Sequence, residues 1–389
     1  MCFSQLALYL HPAKYNLQFI IYNTMKVFAS VTHKPGQLSL EEVELSAPKA
    51  SEVLVKTIAC GVCHTDAAAL HLFIPVTLPI ILGHEGVGIV EEVGSEVTSL
   101  KKGDRVILSF PSCGKCDYCH DDHPYACDNM NTLFFDGTYN DGTKRFSQNG
   151  TEVSSFFGQG SFADHVIIDA RNAVKADIDN DDDLANLCSL GCGVQTGAGA
   201  VLNKIKPKKG SSIAIFGCGG VGMSAIMAAA IAGCTTIIGV DVVPSRLELA
   251  KELGATHVIN SSEVDPVAEI KKITNGGAHN SVESSGIAKV TLQSLACLRR
   301  EGMAVLLSVT GPEEISIPLE ALILNPSATL TGLSEGASNP QTFIPELVGY
   351  YKQGKLPVEK LVKFYDFKEI EKAFEDSHNG NTIKPILRF

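Results

Sequence analysis

Between about Met25 and Asp177, short apolar runs (Val53 to Ile58, Val87 to Val93, Arg105 to Leu108, His165 to Ile168) are separated by loops rich in glycine, proline and cysteine. This spacing predicts an irregular β-rich domain. From about Ser211 to Thr331 the pattern changes. Strand-like runs at Ile213 to Phe216, Ile237 to Val240, His257 to Ile259, Ser281 to Glu283 and Met303 to Val309 alternate with helical stretches at Val221 to Ala232, Arg246 to Leu253, Pro266 to Thr274 and Lys289 to Leu298. Alternation of this kind predicts an α/β unit, a parallel sheet with helices on both faces. Two helical stretches, near Gln341 to Tyr351 and Lys368 to Ser377, precede a terminal strand-like run, Ile383 to Phe389. A chain that leaves its first domain and returns to it would end this way. No internal repeat or low-complexity segment interrupts the pattern.

The stretch from Gly210 to Val240 carries no charge and is long enough to resemble a membrane span. Its glycines are clustered at Gly217, Gly219, Gly220 and Gly222 between a β-branched run and an alanine-rich one, which reads instead as strand, tight turn, buried helix and strand. Residues 1–24 include an apolar segment near Leu17 to Tyr22, with no basic group before Lys14 and no small-residue cleavage pattern. They read as an N-terminal extension, possibly disordered, rather than a secretory signal.

The chain has 389 residues, of which 45% are hydrophobic and 19% charged, enough for a large core divided between two or three domains. A net charge of −11 without a basic run disfavours a nucleic-acid partner. The 12 cysteines are the unusual component. A core this large needs no disulfide staples, so thiolate metal ligands and reduced core thiols, with a cytoplasmic location, are expected.

Cys113-x2-Cys116-x2-Cys119-x7-Cys127 places four thiols within fifteen positions of a loop containing Pro111, Gly114 and Pro124. Four thiolates close a tetrahedral Zn2+ shell and leave no open position, as in a structural site. A second set is dispersed: Cys63 and His64, His84 and Glu85, and Cys192, each in a glycine-flanked turn. On spacing alone these read as core or loop residues. Cys63, His84 and Cys192 could supply the three ligands of a catalytic zinc if folding joins the turns. Cys60, Cys188, Cys218, Cys234 and Cys297 sit in apolar surroundings and read as core thiols, and Cys2 lies in the extension.

Gly217-Cys218-Gly219-Gly220-Val221-Gly222 follows a predicted strand and opens a predicted helix. In this context Gly217 permits a tight turn, Gly219 lets the backbone approach a pyrophosphate, and Gly222 lets the helix pack on the sheet, with the diphosphate at the helix N-terminus. Asp241 closes the next predicted strand and would accept hydrogen bonds from ribose hydroxyls, which favours NAD over NADP. Arg246, five residues on, is expected to flank the adenosine.

In this order the motifs resemble the zinc-containing medium-chain alcohol dehydrogenases from about Met25 to Phe389. Gly191 to Asn203 and Phe156 to Phe162 are most similar to the aryl-alcohol (benzyl alcohol) dehydrogenases. The resemblance implies a GroES-like β-rich catalytic domain, residues 25–193 and 334–389, interrupted by a Rossmann domain, residues 194–333. It implies catalytic zinc on Cys63, His84 and Cys192, with Glu85 able to approach the metal transiently. Structural zinc would sit on Cys113, Cys116, Cys119 and Cys127, making two zinc ions per chain. It implies NAD-dependent oxidation of primary, aryl or allylic alcohols to aldehydes. Thr65 would pass the hydroxyl proton to the nicotinamide ribose, Asp66 would orient His84, and His64 and Lys384 would face the coenzyme diphosphate. Thr196, Gly219, Gly220 and Val221 would also line the coenzyme.

Many relatives carry a histidine where this chain has Ala68, so a shorter proton relay is expected, ending at ribose, water or His64. Competing readings are a general aliphatic alcohol dehydrogenase, an NADP-dependent zinc aldehyde reductase, a zinc-free NADPH quinone or enone reductase, and a nucleotide-binding scaffold without catalysis. The intact ligand set and Asp241 argue against the zinc-free reductase, and Thr65 and Asp66 together with the ligands argue against the scaffold. The implied partners are a small alcohol or aldehyde and further copies of the chain, as homodimer or homotetramer, with no membrane. Ala304 to Thr310 is a candidate pairing edge, and Phe110 a candidate pocket wall.

Overall fold

A computed structural model describes residues 24–308 and 314–389, so the N-terminal extension, Cys2 included, lies outside the described residues. Three sheets organise the chain. Met25–Thr32, Ser39–Leu45, Phe146–Gln148, Thr151–Ser155 and Ile80–Ile81 close a small barrel. A second, seven-stranded sheet is centred on Glu52–Gly61, which pairs antiparallel with Glu85–Val93, with His165–Asp169 and with the C-terminal strand Lys384–Arg388. The last of these pairings realises the predicted return of the chain to its starting domain. It also carries Lys384 to the turn that follows Gly61.

The third sheet is wholly parallel. In chain order its strands are Ser212–Phe216, Thr236–Asp241, His257–Asn260, Ala278–Glu283, Leu298–Leu306 and Thr329–Gly332, and across the sheet they run 3-2-1-4-5-6. That is the doubly wound Rossmann order, whose ligand crevice lies outside the carboxyl ends of the strands where the order reverses. Every residue of Ser212–Phe216 is buried, as a central strand covered on both faces requires. The helix Gly220–Ile231 buries Met223 through Ala229 without interruption, which explains why its sequence lacks an amphipathic stripe. Among the described residues no helix is long and apolar enough to cross a membrane.

Leu298–Leu306 is not an edge. It pairs with Ala278–Glu283 on one side and Thr329–Gly332 on the other, so the expected free edge at Ala304 is occupied by a strand too short and too polar to stand out in the sequence. Val309 and Thr310 lie outside the described residues.

One apolar cluster fills the barrel. Another runs without a break from Ala59, Val87 and Ile107 under the second sheet to Ile213, Ile215 and Ile226 of the parallel unit. Full burial of each such side chain is worth about 1.5–3 kcal/mol. This shared core sets the two sheets against each other and fixes the cleft between them.

Candidate metal centre and coenzyme cleft

Cys63 caps the N-terminus of the helix His64–Leu70, His84 precedes the strand Glu85–Val93, and Cys192 caps the helix Gly193–Gly199. The fold brings these three separate turns together. One ligand atom from each of Cys63, His84, Glu85 and Cys192 lies within 4.8 Å of all the others. His84 Nδ1–H donates to Asp66 Oδ1 at 2.9 Å, and Asp66 also accepts from the backbone N–H groups of Cys63 and Gly83, both at 3.0 Å. With Nδ1 facing a carboxylate, the proton sits there and Nε2 presents its lone pair.

That Nε2 is buried and has no hydrogen-bond partner, a costly arrangement unless something coordinates it. Two thiols and an unsatisfied imidazole nitrogen form the donor set of a zinc site with one position left for substrate. The residues therefore fit the metal.

Glu85, expected as a transient ligand, faces the cluster and is also ion-paired. Lys384 Nζ lies 2.9 Å and 2.8 Å from its two carboxylate oxygens, and the Gly193 N–H is 3.3 Å from Oε1. Burial pushes the Glu85 carboxyl up while Lys384 opposes the rise; burial also works against the Lys384 cation, but Glu85 outweighs it and holds the ammonium above its usual range. Lys384 thus spends its charge on Glu85 and on the Val62 carbonyl at 3.3 Å, while still lining the cleft in which a coenzyme diphosphate was expected.

Cys113, Cys116, Cys119 and Cys127 form a second cluster on the lobe. Their Sγ atoms stand 3.5 Å (Cys116 to Cys119), 3.9 Å (Cys113 to Cys119) and 4.0 Å (Cys116 to Cys127) apart. Four thiolates around one zinc at the usual bond length are about 3.8 Å apart, so this spacing suits the ion. The five thiols read as core residues are buried, and burial pushes Cys218 and Cys297 up to about 12, which makes them unreactive.

A cleft of about 250 Å³ runs from Cys63 and His64 past Gly219, Gly220 and Val221 to Arg246 and Lys384. Gly217 has φ +88°, and a Cβ on Gly222 would strike the Gly217 carbonyl oxygen, so both positions need glycine. Nothing approaches the Cβ position of Gly219, which leaves its backbone open to a ligand at the start of the helix. Asp241 accepts from Cys218 N–H at 2.7 Å, Val242 N–H at 2.8 Å and Val243 N–H at 2.9 Å. A carboxylate offers about four lone pairs, so one remains for a ribose hydroxyl. Arg246 Nε is buried without a partner. Thr196 turns its hydroxyl to the Cys192 carbonyl at 2.8 Å, and Thr65 Oγ1 lies 3.6 Å from Cys63 Sγ.

Three features of the site escape sequence reading. Phe157, with φ +54°, stacks on His84 at 4.6 Å and on Phe134 at 4.1 Å between ring centroids, and Phe110 meets Phe134 edge-on. A buried amide network joins the ligand turns: Gln159 Nε2 donates to the His84 carbonyl at 3.1 Å and to the Ser109 carbonyl at 2.9 Å, while Gln195 Nε2 donates to Ser109 Oγ at 2.8 Å. Glu335 is buried beside the cluster, where burial pushes its carboxyl up to about 7, with His84 opposing and Cys63 and Glu85 adding to the rise. Both glutamines lie in quoted motifs, but nothing in the sequence marks the Ser334-Glu335-Gly336-Ala337 turn as buried.

The parallel sheet with a glycine-lined crevice and the vacant-sided imidazole between two thiols define a zinc-binding dehydrogenase that uses a nicotinamide coenzyme. Residues 220–348 match the family model described as zinc-binding dehydrogenase, and residues 49–178 match the alcohol dehydrogenase GroES-like domain. The geraniol dehydrogenase of Castellaniella defragrans is 42% identical over 358 residues, covering 91% of this chain and 95% of that protein. The crystal structure of an alcohol dehydrogenase zinc-binding domain protein from Burkholderia ambifaria superposes with a TM-score of 0.92 at 44% identity, covering 94% of this chain and all (100%) of the other. That of benzyl alcohol dehydrogenase from Acinetobacter calcoaceticus superposes with a TM-score of 0.89 at 42% identity, covering 94% and 99%. The chain belongs to the zinc-containing medium-chain alcohol dehydrogenase family and is a zinc alcohol dehydrogenase.

Proposed function

We propose that this enzyme reversibly oxidises benzylic and allylic primary alcohols to aldehydes with NAD, using two zinc ions per chain. The observation that carries the substrate class is the likeness, over more than nine-tenths of the chain, to the relatives named as geraniol and benzyl alcohol dehydrogenases, each 42% identical. Phe157, packed between His84 and Phe134, gives the ligand turn an aromatic backing.

Cys63, His84 and Cys192 would hold the catalytic zinc, which supplies a Lewis acid for the alcohol oxygen while the nicotinamide accepts hydride. Asp66 fixes the tautomer and orientation of His84 through Nδ1. Thr65 Oγ1 would accept the substrate hydroxyl proton and relay it toward the coenzyme ribose. With Ala68 where many relatives carry histidine, the relay would end at ribose, water or the exposed His64. Gly219, Gly220 and Val221 would bind the diphosphate at the helix N-terminus, assisted by His64. Asp241 favours NAD, because its remaining lone pair suits a ribose hydroxyl and its charge repels a 2′-phosphate. Arg246 flanks the adenosine.

The structural zinc on Cys113, Cys116, Cys119 and Cys127 would hold the lobe. We take residues 25–193 with 334–389 as the catalytic domain and 194–333 as the coenzyme domain, a division supported by the return of Lys384–Arg388 to the second sheet. The enzyme is proposed to be a cytoplasmic homodimer or homotetramer.

Steady-state kinetics with benzyl, cinnamyl and short aliphatic alcohols, each with NAD and NADP, tests the assignment. The expected result is higher kcat/KM for benzyl and cinnamyl alcohols with NAD; ethanol equal to or better than benzyl alcohol would overturn it.

A further inference from the structure

Glu335 stands three residues beyond the carboxyl end of the sixth parallel strand, Thr329–Gly332. Its turn is unusual. Glu335, Gly336 and Ala337 have φ +47°, +69° and +45°, a left-handed run that two non-glycine residues adopt only when the surroundings impose it. Those surroundings belong to the helix that begins at Cys192. A Cβ on Gly336 would strike the Gln195 carbonyl, and one on Gly199 would strike Gly336, so helix and turn meet backbone to backbone. Ser338 Oγ reaches Gln195 Oε1 at 3.1 Å, and Asn203 Nδ2 donates to the Gly336 carbonyl at 3.0 Å.

The carboxylate this clamp holds is 9% exposed, and its Oε2 is buried without a hydrogen-bond partner. The neighbouring charges are already matched. Two thiolates balance a divalent zinc, Glu85 is paired with Lys384, and Asp66 is served by two backbone N–H groups and His84. Among the described residues Glu335 has no cation. A buried carboxyl without a cation relieves that cost by holding a proton, and a cationic ligand beside it would restore the charge.

The coenzyme can be that ligand. Hydride transfer requires the nicotinamide C4 within about 3–3.5 Å of the alcohol carbon, so the ring must lie against the ligand cluster. The crevice opens at the carboxyl ends of the parallel strands where their order reverses, and Glu335 follows the carboxyl end of the sixth. We propose that the Glu335 carboxylate binds the nicotinamide end of the oxidised coenzyme and favours the cationic ring over the neutral dihydronicotinamide. This rests on the assignment of a nicotinamide coenzyme to the cleft and adds a residue that discriminates its two redox states.

The test is direct binding to the zinc-loaded protein, by calorimetry, of NAD+, NADH and ADP-ribose to wild type, Glu335→Gln and Glu335→Asp. Loss of one buried charge contact should weaken NAD+ binding to Glu335→Gln about tenfold and NADH binding less than about twofold. ADP-ribose affinity, which reports the adenosine half and an intact fold, should not change. Glu335→Asp should keep the preference to within about threefold of wild type, because the charge survives. Equal shifts for NAD+ and NADH, no shift for either, or an Asp variant that behaves like Gln would overturn the role of Glu335 alone. Wild type that binds neither nicotinamide coenzyme nor its phosphorylated form would overturn the coenzyme reading itself.

Discussion

Asp66 and His84 form a buried pair, with Oδ1 2.9 Å from Nδ1 and both side chains at 1% exposure or less. Asp66 is in turn held by the N–H groups of Cys63 and Gly83, so one carboxylate ties the first ligand turn to the second. Its loss releases both the imidazole orientation and the turn. Asp66→Ala is expected to lower affinity for the catalytic zinc about 10–100-fold. Competition with a chromogenic chelator measures this, and the four-cysteine site of the same molecule serves as the internal reference.

The Lys384–Glu85 pair lies almost wholly out of water, with side-chain exposures of 9% and 0%. Lys384→Met leaves a buried carboxylate unpaired and should destabilise the protein by about 3–5 kcal/mol. Lys384→Met combined with Glu85→Gln should recover much of that loss. Urea denaturation of the three proteins provides the comparison; a double variant no more stable than the single one would show that the pair is not the source.

Truncation of Phe157 removes the ring between His84 and Phe134. Both faces of the ring are covered and it is buried, so Phe157→Ala should cost about 3–5 kcal/mol of stability and loosen the His84 imidazole it supports. Urea denaturation, with kinetics on benzyl alcohol, cinnamyl alcohol and ethanol, checks this: kcat/KM should fall in parallel for all three. A loss confined to benzyl and cinnamyl alcohols would instead mark Phe157 as a substrate contact.

Much of this architecture was legible in the sequence. Strands and helices of the parallel unit follow their hydrophobic periods closely, because Ser212–Phe216 and Gly220–Ile231 are buried by local rules: a continuous apolar strand, then glycines at a tight turn. The catalytic ligand set was legible only through the family resemblance, since Cys63, His84 and Cys192 are dispersed and by spacing alone read as core or loop residues. Features created by tertiary contact were not. Thr329–Gly332 is a short, half-exposed strand whose identity depends on its neighbour, and its pairing removes the edge expected at Ala304. Lys384 is brought to Glu85 by a pairing between strands more than 300 residues apart, and the burial of Glu335 arises only where its turn meets the helix after Cys192.

Asp376 accepts from the Tyr365 hydroxyl at 2.7 Å and from Lys363 at 3.1 Å, and these contacts, Tyr365 first, hold its carboxyl down to about 2. A carboxyl lowered by folding stabilises the protein fully above its unfolded pKa of about 3.9 and loses that contribution as pH falls through the folded value. The melting temperature of wild type should therefore fall more steeply between about pH 4 and pH 2 than that of Tyr365→Phe. Superimposable pH profiles would contradict the assignment.

The proposed zinc centre of Cys63, His84 and Cys192 is separate from the four-cysteine site. Zinc per chain, determined by native mass spectrometry for wild type and Cys192→Ala alongside alcohol-dependent reduction of NAD, tests this most directly. Wild type should carry two zinc ions, and Cys192→Ala should keep one while losing alcohol oxidation by at least about a thousandfold, consistent with loss of metal assistance worth several kcal/mol. A variant that retains both ions and oxidises benzyl alcohol at the wild-type rate would contradict the account.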